Sequence, residues 1–248
     1  MPEPTKVSAT LYSTYRMCPQ QALARYQGVY GPTSRASFRG SLAHKVFSVH
    51  LNEGEISDVG FEDRCRRLAG EHLGEPMASL HLSMSDFRGI VGEVRDLYER
   101  FKRIPTDGFV AAEEEIEAWP DDDLVLRGRI DAVFSEDGAQ RIVDWKTGSD
   151  LENSDAQLDF YALAWRLVHG SPPVTIEAAS VATGEQVLRH PTDDTTDETL
   201  RAIREMVEAF DRATATLSDL ERTAGPHCKW CPILEDCSEG ATAVALLG

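Results

Sequence analysis

The chain has 248 residues, of which 42% are hydrophobic and 27% are charged, as is ordinary for a globular protein with a buried core. It has no run of about 18 apolar residues, which excludes a membrane-spanning helix, and its start lacks the order of a signal peptide, so we expect a cytoplasmic protein. The net charge of −17, taken alone, argues against a nucleic-acid partner, because phosphate binding usually requires a basic surface.

The first fifth of the chain has the opposite charge. Residues 1–50 contain six basic residues and one acid, a balance of +5, which leaves −22 for residues 51–248. Aromatic residues are interleaved with this charge: Tyr12, Tyr15, Tyr26, Tyr30, Phe38 and Phe47. A cationic groove with stacking rings suits single-stranded nucleic acid. An ordinary helical segment with its aromatic residues in the core would give the same pattern.

Periodicity and turn residues predict an alternation of helices and strands. In chain order we expect helices near 10–27 and 41–52, a helical block from about 59 to 103, strands from about 108 to 146, a helix at 155–169, a strand near 174–181 and a helix at about 195–221. A cysteine-rich tail follows. Strands framed by helices in this order predict an α/β core that carries a mostly helical insertion.

Two β-rich segments flank Asp137-Gly138, a dipeptide typical of a two-residue hairpin turn. With these residues as the turn, Asp131 lies directly opposite Asp144, and Lys146 projects from the same face as Asp144. Two carboxylates in register repel each other and would destabilise a bare hairpin. The arrangement therefore predicts a divalent cation between them.

The strand before this hairpin adds a third acid. Alternation places one set of residues on its inner side: Val110, Ala112, Glu114, Ile116 and Ala118. A carboxylate on an otherwise apolar strand face is costly unless it is paired or binds a metal. Among the three consecutive acids at 113–115, we therefore expect Glu114 to belong to the site.

Together, Glu114, the GRID sequence ending at Asp131 and the VDWK sequence with Asp144 and Lys146 resemble the PD-(D/E)XK nuclease core. Two further motifs narrow the resemblance: His44 in GSLAHKVF, and Gln157 with Tyr161 in DAQLDFYAL, which share one helical face. This set is similar to that of RecB-like nucleases of the iron–sulfur type, closest to the CRISPR-associated single-strand DNA exonuclease and AddB nuclease-domain family.

The resemblance implies a restriction-endonuclease-like core with a mixed central sheet flanked by helices, in one domain spanning residues 1–248. Its expected parts are an N-terminal helical segment 1–58, a helical insertion 59–105, a catalytic core 106–181, a strand and helix segment 182–225 and a cysteine-rich tail 226–248. Mg²⁺ or Mn²⁺ would be held by Asp131, Asp144, His44 and the backbone carbonyl of Trp145. Glu114 would bind the ion directly or through water. Lys146 would orient the attacking water, and Gln157 and Tyr161 would position the DNA strand.

Four of the five cysteines form a pattern: Cys18, then Cys228, Cys231 and Cys237 as C-x₂-C-x₅-C. Disulfides are rare in the cytoplasm, so metal binding is the main reason to group these thiols, and residue type leaves zinc and iron–sulfur both open. The family named above holds a 4Fe-4S cluster with this pattern, which would tie the chain ends together. Cys65 shares a helical face with apolar residues and is expected to be buried.

The resemblance therefore implies a metal-dependent DNA exonuclease acting on single-stranded ends, with 5′→3′ polarity. Its setting could be repair or recombination with a helicase partner, or CRISPR adaptation with a partner protein of that system. A different class of function also fits the cysteines: a non-catalytic DNA-end-binding module stapled by iron–sulfur or zinc. The adjacent repelling carboxylates argue against this alternative, because a pure binding protein gains little from them.

Overall fold

The computed structural model describes residues 3–149 and 151–247. Within them, six strands form one mixed sheet: β1 (Thr5–Ser8), β2 (Phe109–Asp121), β3 (Leu124–Glu136), β4 (Ala139–Lys146), β5 (Thr175–Ser180) and β6 (Gln186–Arg189). The helices are α1 (Ala9–Met17), α2 (Pro19–Tyr26), α3 (Arg35–Glu53), α4 (Phe61–His72), α5 (Gly74–Ser79), α6 (Met84–Phe101), α7 (Asp155–His169), α8 (Asp193–Thr216) and α9 (Ser238–Leu247). No described helix is both long and apolar enough to cross a bilayer.

Helices pack on both faces of the sheet and create two hydrophobic cores. The α7-side core contains Phe160 of α7 and Phe210 of α8, together with apolar residues of α1. The insertion-side core joins α3 to α4 and α6, where Phe47 and Phe101 stack with ring centroids 4.2 Å apart. This arrangement is the mixed α/β fold expected for a PD-(D/E)XK core, and α4 to α6 occupy the predicted insertion.

The hairpin between β3 and β4 has the predicted register. Asp137 and Gly138 both have positive φ, 50° and 84°, as a type I′ hairpin turn requires. Ala132 lies opposite Val143, so the next pair outward is Asp131 and Asp144. Local turn chemistry thus fixes the position of both acids.

The sheet forks at residues 128–131 of β3. The first part of β3 pairs with β1 as far as Arg127, and the last part pairs with β4 from Ala132 onward. Because β2 occupies the opposite edge throughout, β1 and β4 follow each other along the same edge of β3. Beyond Val143, β4 continues its pairing with β5. The backbone at 128–131 pairs with neither β1 nor β4, and this opening is the fork.

Among the differences from the sequence-based expectation, two lie at the start of the chain. The helix predicted at 10–27 is two helices, because Pro19 lacks an N–H and forces Cys18 into an extended conformation with φ −153°. Strand β1 was not predicted, since it has four residues and a single buried one, Val7, too few for a visible alternation.

The aromatic residues of the first 50 positions mostly serve the cores. Tyr12, Phe38 and Phe47 are buried. Tyr15 and Tyr26 pack against Phe210 of α8. Tyr30 differs from all of these, because 67% of it is exposed. The core interpretation of this segment is therefore right for every one of its aromatic residues except Tyr30.

Candidate active site

Asp131 lies at the fork and both of its carboxylate oxygens have partners. Its Oδ2 accepts a hydrogen bond of 2.8 Å from the backbone N–H of Trp145, which replaces a strand-to-strand bond at the point where β3 and β4 separate. Its Oδ1 lies 3.1 Å from Nδ1 of His44 on α3. The fork thus joins a helix from the N-terminal segment to the two acid-bearing strands.

Asp144, Lys146 and Gln157 form a closed ring of contacts beside Asp131. Lys146 Nζ lies 2.6 Å from Asp144 Oδ2 and donates to Gln157 Oε1 at 2.7 Å. Gln157 Nε2 then donates to Asp144 Oδ1 at 3.1 Å. Burial raises the pKa of Asp144 to about 6; the Lys146 ammonium opposes this shift and the Asp131 carboxylate adds to it. The ring therefore holds a buried carboxylate that is costly to ionise without further positive charge.

The third acid at the fork is Glu113, whereas Glu114, which the alternation of the strand predicts, is not part of this group. Ligand atoms of His44, Glu113 and Asp131 all lie within 4.8 Å of one another, the one such group in the described residues. The physical reason is the backbone of Glu113, whose φ of +55° interrupts the alternation of β2. Before it, Ala112 pairs with a residue of the insertion-side core; after it, Ile116 packs in the α7-side core.

Two cations hold the Glu113 side chain. Its Oε2 contacts Lys45 Nζ of α3 and lies 2.9 Å from Arg129 Nε of β3. The side chains of Lys45 and Glu113 are largely buried, at 16% and 13% exposure. Sequence reasoning missed Lys45, Arg129 and Glu113, because the contacts that turn Glu113 inward come from distant parts of the chain.

Tyr161 supports the free backbone of the fork. Its hydroxyl donates to the carbonyl oxygen of Arg129 at 2.9 Å, in the stretch of β3 that pairs with neither β1 nor β4. The ring lies over Gly128, where an added Cβ would be 2.7 Å from a Tyr161 ring carbon. Glycine is therefore required at 128, and its occurrence inside a strand is a sequence signal for such a close approach.

The acid cluster suits a divalent cation. Burial lowers the pKa of His44, but the carboxylates around it, that of Asp131 foremost, outweigh this effect and raise its pKa overall. Asp144 Oδ2 is buried and, although close to Lys146, has no aligned hydrogen-bond donor. Carboxylate oxygens with one imidazole form a donor set suited to Mg²⁺ or Mn²⁺. The residues present therefore fit the expected ion.

Comparison with known proteins agrees with this geometry. Residues 6–238 match the sequence model of a family described as the PD-(D/E)XK nuclease superfamily. This protein belongs to that superfamily. A crystal structure from Eubacterium rectale, described as a candidate exonuclease, has the same fold with a TM-score of 0.56 at 13% identity, covering 94% of this chain and 88% of that one.

A second structure, of SSO0001, aligns at 15% identity over 96% of this chain and 88% of that one, but its TM-score of 0.40 supports no further argument. A search of curated proteins gave no match.

The nuclease fork opens into a groove that is rich in positive charge. We call it the active-site groove. Its cations are Lys45 of α3 and Arg127 and Arg129 of β3. The rest of its lining includes Asp131, Glu113, Tyr161, the α3 residues Gly40, Ser41 and His44, and His72 and Leu73 at the end of α4. Because the chain as a whole carries −17, this grouping of cations beside the acids is a local departure from the average. It suits a substrate with phosphate groups.

The four patterned cysteines of this nuclease border a single cavity. Cys18 lies at the junction of α1 and α2, and Cys228, Cys231 and Cys237 lie in the tail. The N–H of Gly225 points to Cys228 Sγ at 3.4 Å, and that of Gly240 points to Cys237 Sγ at 3.3 Å. Within the described residues, no three of these sulfurs lie within 4.8 Å of one another.

Cys65 is separate from this group. It is fully buried in the insertion-side core, and burial raises the pKa of its thiol to about 12. The prediction of a small buried apolar residue is confirmed.

Proposed function

We propose that this nuclease is a metal-dependent exonuclease that hydrolyses phosphodiester bonds at single-stranded DNA ends. The observation that carries the proposal is the convergence of Asp131, Asp144, Lys146 and His44 at the fork, beside a cationic groove. A structural ion pair would need one acid and one base, whereas this site keeps three carboxylates together at a cost in stability. Such a cost is typical of a site maintained for chemistry.

The proposed metal ligands are Asp131, Asp144 and His44, together with the carbonyl of Trp145 and with Glu113 in the place predicted for Glu114. When bound, Mg²⁺ or Mn²⁺ polarises the scissile phosphate and lowers the pKa of a water molecule.

The remaining side chains hold the reacting groups in place. Lys146 offers an ammonium that can offset negative charge on the phosphate as the bond breaks. Gln157 accepts from Lys146 and donates to Asp144, so it fixes the relative positions of base and acid. Tyr161 orders the β3 backbone at the fork through its hydrogen bond to the Arg129 carbonyl. It would thus position the DNA strand indirectly, through the residues of β3.

The finer parts of the proposal rest on resemblance. Exonuclease action agrees with the description of the Eubacterium rectale protein. The 5′→3′ polarity comes from the similarity of the His44, Gln157 and Tyr161 motifs to those of CRISPR-associated exonucleases. The same motifs are compatible with CRISPR adaptation and with recombination or repair beside a helicase.

We further propose a 4Fe-4S cluster bound by Cys18, Cys228, Cys231 and Cys237. A tetrahedral zinc site has metal–sulfur bonds of about 2.3 Å, which places its sulfurs about 3.8 Å apart. The four sulfurs border one cavity, and within the described residues no three of them lie within 4.8 Å of one another. N–H groups directed at two of them are a common feature of cluster sites. The choice of a 4Fe-4S cluster over zinc rests on the resemblance of this cysteine pattern to that of the iron–sulfur nucleases.

The experiment that tests the activity is an anaerobic digestion of 5′-labelled and 3′-labelled oligonucleotides, single-stranded and duplex, with Mg²⁺ or Mn²⁺. We expect progressive shortening of the single strands from the 5′ end, dependence on the divalent ion, and no cleavage by Asp144→Asn. If the substrate stayed intact with both metals and with either end labelled, the nuclease proposal would be refuted and the DNA-end-binding alternative favoured. Visible absorption of the same preparation tests the cluster, since a colourless protein with bound zinc would contradict it.

A further inference from the structure

A second groove continues the active-site groove beyond β1. The two grooves share Ser8 and Arg127, which face each other across the paired strands β1 and β3. We call the second one the outer groove; its lining includes Ser8, Arg127 and Lys6, which is paired with Glu3, and, from α2 and the loop that follows, Arg25 and Tyr30. A ligand that leaves the fork along β3 would therefore reach the outer groove at this strand pair.

In the outer groove, the exposed ring of Tyr30 lies next to the guanidinium group of Arg25. Tyr30 is 67% exposed, and the Arg25 guanidinium carbon lies 5.6 Å from the centre of its ring. Among the residues that the structure describes, no carboxylate lies within 4 Å of the Arg25 guanidinium nitrogens. Arg127 is paired with Glu117 at 2.7 Å, but both side chains are about half exposed, so this pair contributes little and can yield to a phosphate.

The distance from the fork matches a few nucleotides. Arg127 precedes Asp131 by four residues on β3, a span of about 13 Å at about 3.3 Å per residue. A stacked strand advances about 3.4 Å per nucleotide, so about four nucleotides cover this span, and an extended strand needs fewer. A strand with its end at the fork thus reaches Arg127 with about four stacked nucleotides or fewer extended ones, and it must be longer still to reach Tyr30, which lines the outer groove alone.

We infer that the outer groove is a binding subsite for single-stranded DNA, in which a base stacks on Tyr30 and the flanking phosphates contact Arg25 and Arg127. Stacking on a side-chain ring requires a base that is free of its duplex neighbours, so the subsite selects single strands without reading sequence. The inference rests on the proposed function in one respect: the strand in the outer groove is the one whose end lies at the fork.

Binding without cleavage tests the inference directly. Fluorescence anisotropy with Ca²⁺ in place of the catalytic metal would compare a labelled thymidine trinucleotide, a dodecanucleotide and a duplex of the dodecanucleotide's length. We expect the wild type to prefer the dodecanucleotide to both others. Tyr30→Ala should weaken dodecanucleotide binding about tenfold and leave trinucleotide binding unchanged, because the short strand does not reach the ring. Tyr30→Phe, which keeps the ring, should bind like the wild type.

Charge variants provide the matched control. Arg25→Ala should weaken dodecanucleotide binding and reduce its dependence on salt concentration, since one phosphate contact is lost. Arg88→Ala removes an exposed arginine of α6 that lines neither groove and should change nothing. The inference is overturned if Tyr30→Ala binds normally, if it weakens both oligonucleotides equally, or if the duplex binds as tightly as the single strand. A protein that binds as expected yet cuts no DNA would refute the proposed function alone.

Discussion

The catalytic fork and the cysteine tail are organised in different ways. At the fork, each acid is held by contacts within the protein: Asp131 by Trp145 and His44, and Asp144 by Gln157 and Lys146. The tail at 226–247 consists of two short 3-10 turns and one helix, and none of its described residues belongs to either hydrophobic core. The fork is therefore part of the folded sheet, whereas the tail lies outside both cores and, on our proposal, is held by a metal centre at its cysteines.

We expect this difference to separate chemistry from substrate capture. If the comparison is right, variants at the fork change the rate of cleavage while the fold persists, and variants at the cysteines change local order and DNA affinity. The predictions below probe this separation, beginning with the largest expected effect.

Loss of the Lys146 ammonium should have the largest effect on catalysis. Lys146→Ala removes the cation beside Asp144, and we expect kcat for single-stranded DNA to fall about 10²- to 10³-fold, because the charge on the reacting phosphate loses a positioned donor. Circular dichroism should show a folded protein with an unchanged melting transition within a few degrees. Full activity in this variant would remove Lys146 from the mechanism.

The two neighbouring glutamates should respond differently to the same change. Glu113→Gln removes a carboxylate that lies within 4.8 Å of the ligand atoms of His44 and Asp131, and we expect activity to fall about 10- to 100-fold. Glu114→Gln is the matched control and should retain activity. Steady-state kinetics at several Mn²⁺ concentrations would locate the loss in metal affinity. If Glu114→Gln lost more activity than Glu113→Gln, Glu114 would be the acid of the site, as the alternation of β2 predicts.

A cysteine variant should loosen the tail without altering the fork. Cys228→Ser removes one of the four proposed cluster ligands, so amide hydrogen exchange should rise across 226–247 while β3 and β4 stay protected. We expect KM to rise roughly tenfold, equivalent to about 1.4 kcal/mol of binding, with kcat retained. Equal loss of protection in the tail and in the sheet would show that the two regions fold as one unit.

The smallest effect concerns stability and its dependence on pH. Burial raises the pKa of Asp144 to about 6 from an ordinary value of 3.8, so the folded protein with chelator present is most stable while this group is protonated. That contribution is complete below pH 3.8 and is lost as the pH rises through about 6. Asp144→Asn should therefore be more stable than the wild type at pH 7, by the order of 1–3 kcal/mol, and the advantage should vanish near pH 4. Urea unfolding at both pH values measures it.

The sequence predicts those parts of the site that depend on local rules. The Asp137-Gly138 turn determines the register of β3 and β4, so the pairing of Asp131 with Asp144 follows from counting residues. The i,i+4 spacing of Gln157 and Tyr161 on α7 likewise puts both side chains at the fork.

What escapes prediction depends on contacts between distant segments. The positive φ of Glu113 goes with its contacts to Lys45 and Arg129, whereas the alternation visible in the sequence favours the second residue of the EEE run over the first. Strand β1 exists because β3 offers it an edge, not because four residues have a strong preference. By contrast, the break at Cys18 and the close packing at Gly128 both have sequence signals, in Pro19 and in a glycine within a strand.

The central claim is that the acids at the fork form one site, which binds a divalent cation and uses it to hydrolyse DNA. Isothermal titration of Mn²⁺ into the anaerobic protein, compared with Asp131→Asn, tests it most directly, because binding is read without substrate or turnover. We predict that the wild type binds at a single saturable site and that the variant, which keeps the shape of the side chain but not its charge, loses that binding. Equal Mn²⁺ affinity in the two proteins would contradict the account.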